Sequence, residues 1–181
     1  MKKIAFLVFT TLASFFAPLL QGASDYLLEI DGIKGESRDA KHPGTIEISS
    51  WSWGCSNPSS VGGGGGGTGK VSFQDFHFST NIGKASPQLL VACATGQHIK
   101  KAVLFVRKSG NDQQDYYKVT LEDCLISSFS QAGSSSGTGG TASPVPTEQV
   151  SLNFTKITVE HIDDAGETTV GTASSVADPA Q

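Results

Sequence analysis

A chain of 181 residues with 38% hydrophobic and 17% charged content has the apolar content for one folded domain and too little charge for a disordered one. Its formal net charge of −4 provides no basic field to recruit nucleic acid. Three cysteines, Cys55, Cys93 and Cys124, are an odd set for a closed disulfide framework and lie far from CxxC metal spacing, so buried free thiols are expected, with one bridge open to an exported chain.

Residues 1–24 read as a secretory signal peptide. Lys2-Lys3 precede an apolar run from Ile4 to Leu20, and Gly22-Ala23-Ser24 supply small residues for cleavage. The run is broken by Pro18 and is short against the ~20 residues of a spanning helix, so no stable membrane insertion is expected once the leader is removed.

The mature domain is expected over residues 25–161. Tyr26 to Ile30 is a first strand, and Asp31-Gly32 a turn. Lys34 to Gly44 is a long mixed-charge loop, carrying Lys34, Glu36, Arg38, Asp39 and Lys41 and closed by Pro43-Gly44; connections of this length are often functional. Thr45 to Gly54 is a second strand, in which Ile46 and Ile48 share one face and Trp51 and Trp53 the other. Val71 to Phe78 repeats that conflict, with Val71 and Phe73 opposed to Phe76 and Phe78. Either a bulge near Ser49-Ser50 shifts the phase or both faces are covered, by a barrel interior and a neighbouring subunit. Between these strands the glycine run Gly62 to Gly67 reads as an exposed loop.

Ser86 to Gly96 is a helix, with Ser86 as N-cap, Pro87 in its first turn and Gly96 as the left-handed stop. Its Leu89, Leu90, Val91 and Cys93 predict a largely covered element. Lys101 to Arg107 and Tyr116 to Leu121 form a hairpin about the Ser109–Asp112 turn, and Cys124 to Phe129 continues the sheet. Gln131 to Pro146 is a Ser/Gly/Thr-rich loop. Val150 to Glu160 is the last strand, and 162–181 is a loose polar tail. The fold class is mainly β: an antiparallel two-sheet split barrel with one short flanking helix.

No motif points to catalysis. Gly64 to Lys70 fits G-x-x-x-x-G-K, but Val71 stands where a magnesium-binding hydroxyl is required, and a strand follows instead of a helix. Gly133 to Gly137 fits G-x-S-x-G within a low-complexity loop, without the strand-to-helix turn of a nucleophile elbow. His42, His77, His98 and His161 show no metal-ligand spacing. Triad or metal chemistry would need the fold to bring them together, and loop or strand-end histidines are the simpler reading. The Asn153-Phe154-Thr155 sequon falls within an expected strand. No cofactor, metal or enzymatic activity is expected.

Taken together, Lys34-Gly35-Glu36-Ser37, Trp51-Ser52-Trp53-Gly54, Gly69-Lys70-Val71, Gln74-Asp75, Pro87 with Leu89 and Ala92-Cys93, Gly96 with His98, Arg107-Lys108, Thr120-Leu121, Ser127-Ser128 and Val150 to Phe154 resemble the haemolysin-coregulated protein (Hcp) family. These are the inner-tube subunits of bacterial type VI secretion systems. The resemblance spans Tyr26 to His161. It implies a β-barrel with a flanking helix that forms hexameric rings stacked into a hollow tube, surrounded by a sheath, tipped by a spike and able to hold small effector proteins. It further implies that the loop carrying Lys34, Gly35, Glu36, Ser37, Arg38, Asp39, Lys41 and His42 reaches the adjacent ring, and that Ser134 faces the lumen. The leader departs from this family, whose tube subunits assemble in the cytoplasm. The alternative is therefore an exported Hcp-like protein acting outside the machine, as a free ring or binding module.

Overall fold

The computed structural model describes residues 25–57, 71–108, 113–133 and 145–175. The leader, the glycine run, the Ser109–Asp112 turn, both glycine motifs apart from Gly133, and Ser134 lie outside the described residues. Elements follow in the order β1 (Asp25–Ile30), β2 (Ile46–Ser56), β3 (Ser72–Asn81), α1 (Ser86–Thr95), β4 (Ile99–Arg107), β5 (Asp115–Ala132), β6 (Thr147–Asn153), β7 (Lys156–Ile162) and β8 (Thr168–Ser174).

Every strand pairing is antiparallel. One sheet runs β1-β4-β5-β7-β8 and the other β2-β3-β6-β5. A short β1–β2 pairing joins them on one side and β5, shared by both, joins them on the other, so six strands close into a barrel. Closure limits the open edges among these six strands, while β7 and β8 extend the first sheet outside the barrel.

The phase conflict in β2 and β3 is resolved by two bulges. One lies between Ile48 and Ser50 of β2, where Ser49 is the extra residue; the second lies opposite Ser52–Gly54, where β3 carries the extra residue. Each bulge turns the following side chains to the other face. Ile46, Ile48, Phe76 and Phe78 therefore all enter one core, and Trp51 packs against it. Covering by a second subunit is not what buries these aromatics. The Trp51 ring stacks on Phe76 (6.3 Å) and Tyr117 (6.2 Å) and meets Tyr26 edge-on at 6.3 Å.

Helix α1 packs against the barrel and buries Leu89 and Ala92 in its core. Two expectations need correction here. Ala85, not Ser86, is the N-cap residue, and the Ser86 hydroxyl instead accepts a hydrogen bond from the Gly83 amide (2.9 Å). The helix is also covered on one side only, since Leu90 and Val91 are exposed. Gly96 does take the left-handed stop, at φ 63°.

Three strand boundaries differ from expectation. The segments on either side of Glu122-Asp123 form one continuous strand, β5, because Asp123 takes positive φ and bends the chain without ending it. The expected final strand is instead two, β6 and β7, divided at Phe154-Thr155, and Asn153 of the sequon closes β6. Residues 168–174, read as loose tail, form β8 on β7. Their side chains are exposed throughout, so the pairing is carried by backbone hydrogen bonds, which small polar side chains do not announce.

The cysteines are free. Cys124 is buried, and burial pushes its thiol up to about 12, which makes it inert. Cys93 is half-buried. Cys55 is exposed, contrary to expectation. Phe76 is fully buried, so Phe76→Ala should cost about 3–5 kcal/mol, measured by urea unfolding.

Candidate functional site: a strapped loop and a hydroxyl-lined wall

The loop over 31–45 is laced along its own length. Gly35 N donates to Gly44 O (2.9 Å), Gly44 N to Ser37 O (2.8 Å) and Ser37 N to Thr45 O (3.1 Å). Gly35 must be glycine, because a Cβ there would stand 2.2 Å from the Thr45 carbonyl oxygen. Side chains alternate along the first arm: Gly35 and Ser37 are buried, whereas Lys34, Glu36 and Arg38 are exposed.

The tip is tied to the barrel by one buried cation. Arg107, 1% exposed at the end of β4, grips Asp39 with both terminal nitrogens; its Nη2 lies 3.1 Å from Asp39 Oδ1. Its Nε reaches Asp115 Oδ1 (3.3 Å) and its Nη1 reaches Gln113 Oε1 (3.3 Å). A fork of five N–H donors suits such two-pronged contact with carboxylates. His42 completes the strap. Its ring stacks on Phe105 (3.9 Å between centroids) and its Nε2 meets Asp115 Oδ2 at 2.8 Å. Lys41 Nζ donates to the Gln113 carbonyl (2.8 Å).

Of the eight loop residues singled out in the sequence, Gly35, Ser37, Asp39 and His42 thus serve the subunit's own architecture. Lys34, Glu36 and Arg38 present their side chains outward, whereas the exposed Lys41 holds the Gln113 carbonyl of its own chain. The hydrogen bond from Arg107 lowers the Asp39 carboxyl to about 2, with the amides of His42 and Lys41 assisting and burial opposing. Burial on its own would lower the Arg107 pKa, but Asp39 and Asp115 outweigh it and raise the group further.

The second feature is the outward face of the β2-β3-β6-β5 sheet. Register aligns two rows across four strands: Ser52, His77, Ser151 and Ser128 in one, Ser50, Ser79, Gln149 and Ser130 in the other. Together they line a shallow depression. His77 Nδ1 and Ser151 Oγ are 2.7 Å apart, and Ser128 Oγ donates to Ser151 Oγ (2.7 Å). A serine–histidine pair invites comparison with a hydrolase, but the nearby carboxylate is engaged elsewhere: Asp75 accepts from Ser127 and from Asn153 Nδ2. Triad logic requires the acid to orient the histidine.

The remaining histidines are dispersed. His98 lies on the surface 3.3 Å from Asp123, and His161 lies in β7. Among the described residues no three His, Cys, Asp or Glu side chains form a metal-holding group. The two-row wall was missed from sequence. Its signal was serine at alternate positions, 50 and 52, then 128 and 130, whose meaning depends on which strands pair.

Arg107→Met should cost about 3–5 kcal/mol in urea unfolding, because two carboxylates lose their shared buried cation. Asp39 has a depressed folded pKa, so its contribution is present above 3.8 and is lost as pH falls towards 2. Asp39→Asn should abolish that part of the acid dependence.

The family model described as "Type VI secretion system effector, Hcp" matches residues 27–161. The chain is 42% identical over 141 residues to Protein hcp1 of Pseudomonas aeruginosa, across 77% of this chain and 83% of that protein. It is similar to the crystal structure of Hcp1 from Salmonella typhimurium, at 36% identity and TM-score 0.70 over 84% of this chain and 95% of that one. It is also similar to a type VI secretion system effector from Yersinia pestis, at 29% identity and TM-score 0.68 over 83% and 99% of the two chains. On this agreement of sequence and fold, the chain belongs to the Hcp family of type VI secretion proteins.

Proposed function

We propose that the protein is a structural subunit that assembles into rings and stacked tubes, with the serine-rich sheet face lining the bore and holding small effector proteins. The observation that carries this reading is the pair of transverse rows, Ser52–His77–Ser151–Ser128 and Ser50–Ser79–Gln149–Ser130. They contain no carboxylate, lysine or arginine. Such a wall offers many weak hydrogen bonds in place of a few strong charged ones, which suits cargo that must be held and then released. Family membership supports the tube role, since Hcp proteins are tube subunits and not enzymes.

In this reading the strapped loop is the stacking element. Lys34, Glu36 and Arg38 form the contacts with the adjacent ring, while Arg107, Phe105 and the Lys41–Gln113 bond hold the loop in shape. A rigid loop of both charge signs fixes register more than it adds affinity. The sheath, the spike and the effectors are the outside partners. The lumen position implied by the family resemblance, Ser134, follows β5 in the sequence and is a further proposed contact for cargo.

The amino-terminal sequence favours a second reading. Lys2-Lys3, the apolar run and Gly22-Ala23-Ser24 are those of an exported protein, which would act outside the machine as a free ring or binding module. Sequencing the N-terminus of protein recovered outside the cytoplasm separates the two. A start near Asp25 supports the exported form, and a start at Met1 supports release by the machine.

Labelling tests the bore assignment. Ser52→Cys, made with Cys55→Ser so that the native exposed thiol does not report, should react in assembled tubes with a small maleimide. It should resist a large polyethylene-glycol maleimide that labels the dissociated subunit freely. Equal labelling of tube and subunit by the large reagent would place this face on the outside.

A further inference from the structure

Beyond β5 the first sheet continues as β7 and β8, outside the closed barrel. Ile157 marks the core-side face of this extension. Register carries that face outward through Val159 and His161 on β7 and through Thr169, Gly171 and Ala173 on β8. Val159 still packs at the margin of the core, but every side chain of β8 is exposed. Strand β8 is also an edge, since no strand pairs with its other side among the described residues. Natural proteins blunt such edges with charge, proline or a bulge. Thr168–Ser174 has none of these: it is neutral, rich in threonine and paired with β7 in unbroken register. Gly171 sharpens the point. Glycine within a strand forfeits packing and backbone entropy. Its φ is not in the left-handed region, and a Cβ there would meet nothing within 4 Å. Nothing among the described residues of its own subunit requires glycine, and a glycine inside a strand often marks the close approach of another backbone.

We propose that the core-side face of β7–β8 overlaps the β1–β2 flank of a second copy of this chain and forms the side-to-side contact of the ring. The two surfaces lie at opposite edges of one sheet, with β4, β5 and β7 between β1 and β8. At the β1 edge, β2 pairs only with Leu27 and Leu28, then bulges at Ser49 and continues in the second sheet. Asp25 and Tyr26 therefore have no partner on that side, and Tyr26 and Ile48 border a depression there. One flank overhangs and the other is recessed. Such a pair makes a head-to-tail contact, which repeats from copy to copy and closes where the rotation allows. The small side chains of Gly171 and Ala173 let the overhang lie close against its neighbour. The contact rests on the ring-forming reading proposed above and names the surfaces that close the ring.

The test uses the full chain and sedimentation, which separates subunits from rings. The Gly171→Arg side chain enters open space in the subunit, so its urea midpoint should match the parent, while ring association should fall at least about tenfold. Thr172→Arg sets the same side chain on the opposite face of β8 and should leave rings intact. Asp25→Cys combined with Gly171→Cys, in a Cys55→Ser background, should be joined between copies by a short bifunctional maleimide, and neither substitution alone should suffice. Rings that tolerate Gly171→Arg, or that are lost equally with Thr172→Arg, would overturn the contact while ring formation itself stands. Absence of the cross-link in assembled rings would overturn the β1–β2 flank as the receiving surface. A parent chain that forms no rings would overturn the contact together with the ring-forming reading.

Discussion

The architecture hangs on β5. Its 18 residues run from one sheet into the other, pairing β4 and β7 in the first half and β6 in the second. A strand can turn that corner only where one residue departs from extended geometry, and Asp123 does so at φ 53°. Asp and Asn enter the left-handed region more readily than most residues because their short polar side chains hydrogen-bond locally. Here the Thr155 hydroxyl donates to the Asp123 carboxylate (3.3 Å), and the Thr155 amide to the Glu122 carbonyl (3.1 Å). The bend in β5 is thus fastened to the break between β6 and β7. From that corner follow a closed barrel, a single core around Phe76 and Phe78, and a flat outer face on the second sheet.

Much of this was legible in the chain. Strand composition, the Gly32 and Gly44 turns, and the Pro87-to-Gly96 helix are local signals, and the structure places those elements where they were read. Aromatics on alternating faces raised the choice between a bulge and a second partner, and the bulges decide it. What stayed hidden depends on pairing between distant residues. Glu122-Asp123 reads as a gap between two segments until Ile99 of β4 is known to pair with Cys124 beyond it and β6 to take up the pairing from Leu125. Thr168 to Ser174 has no apolar alternation, and only the free edge of β7 makes it a strand. Arg107 gave no sign of burial, because its two carboxylate partners lie 68 and 8 residues away. The serine wall needed four strands in register before its rows could be seen.

The same geometry gives the two working surfaces different mechanics. The loop is charged and rigid, held by a buried guanidinium, a stacked imidazole and its own backbone ladder, so its exposed side chains meet a partner with little ordering left to do. The wall is neutral and shallow. Its hydroxyls satisfy one another when empty, as the His77–Ser151–Ser128 chain shows, and exchange readily for hydroxyls or amides of a passing protein. On the proposed reading, one surface suits permanent register and the other transient holding, the division of labour that a tube with cargo requires.

The central claim is that this barrel is a wall element, with the β2-β3-β6-β5 sheet turned to a central bore. Electron microscopy of the purified protein tests it most directly. The account predicts closed hollow rings in which that sheet lines the channel and the 34–44 loop projects along the ring axis. A population of monomers at high concentration, or rings with the serine rows on the outer surface, would contradict it.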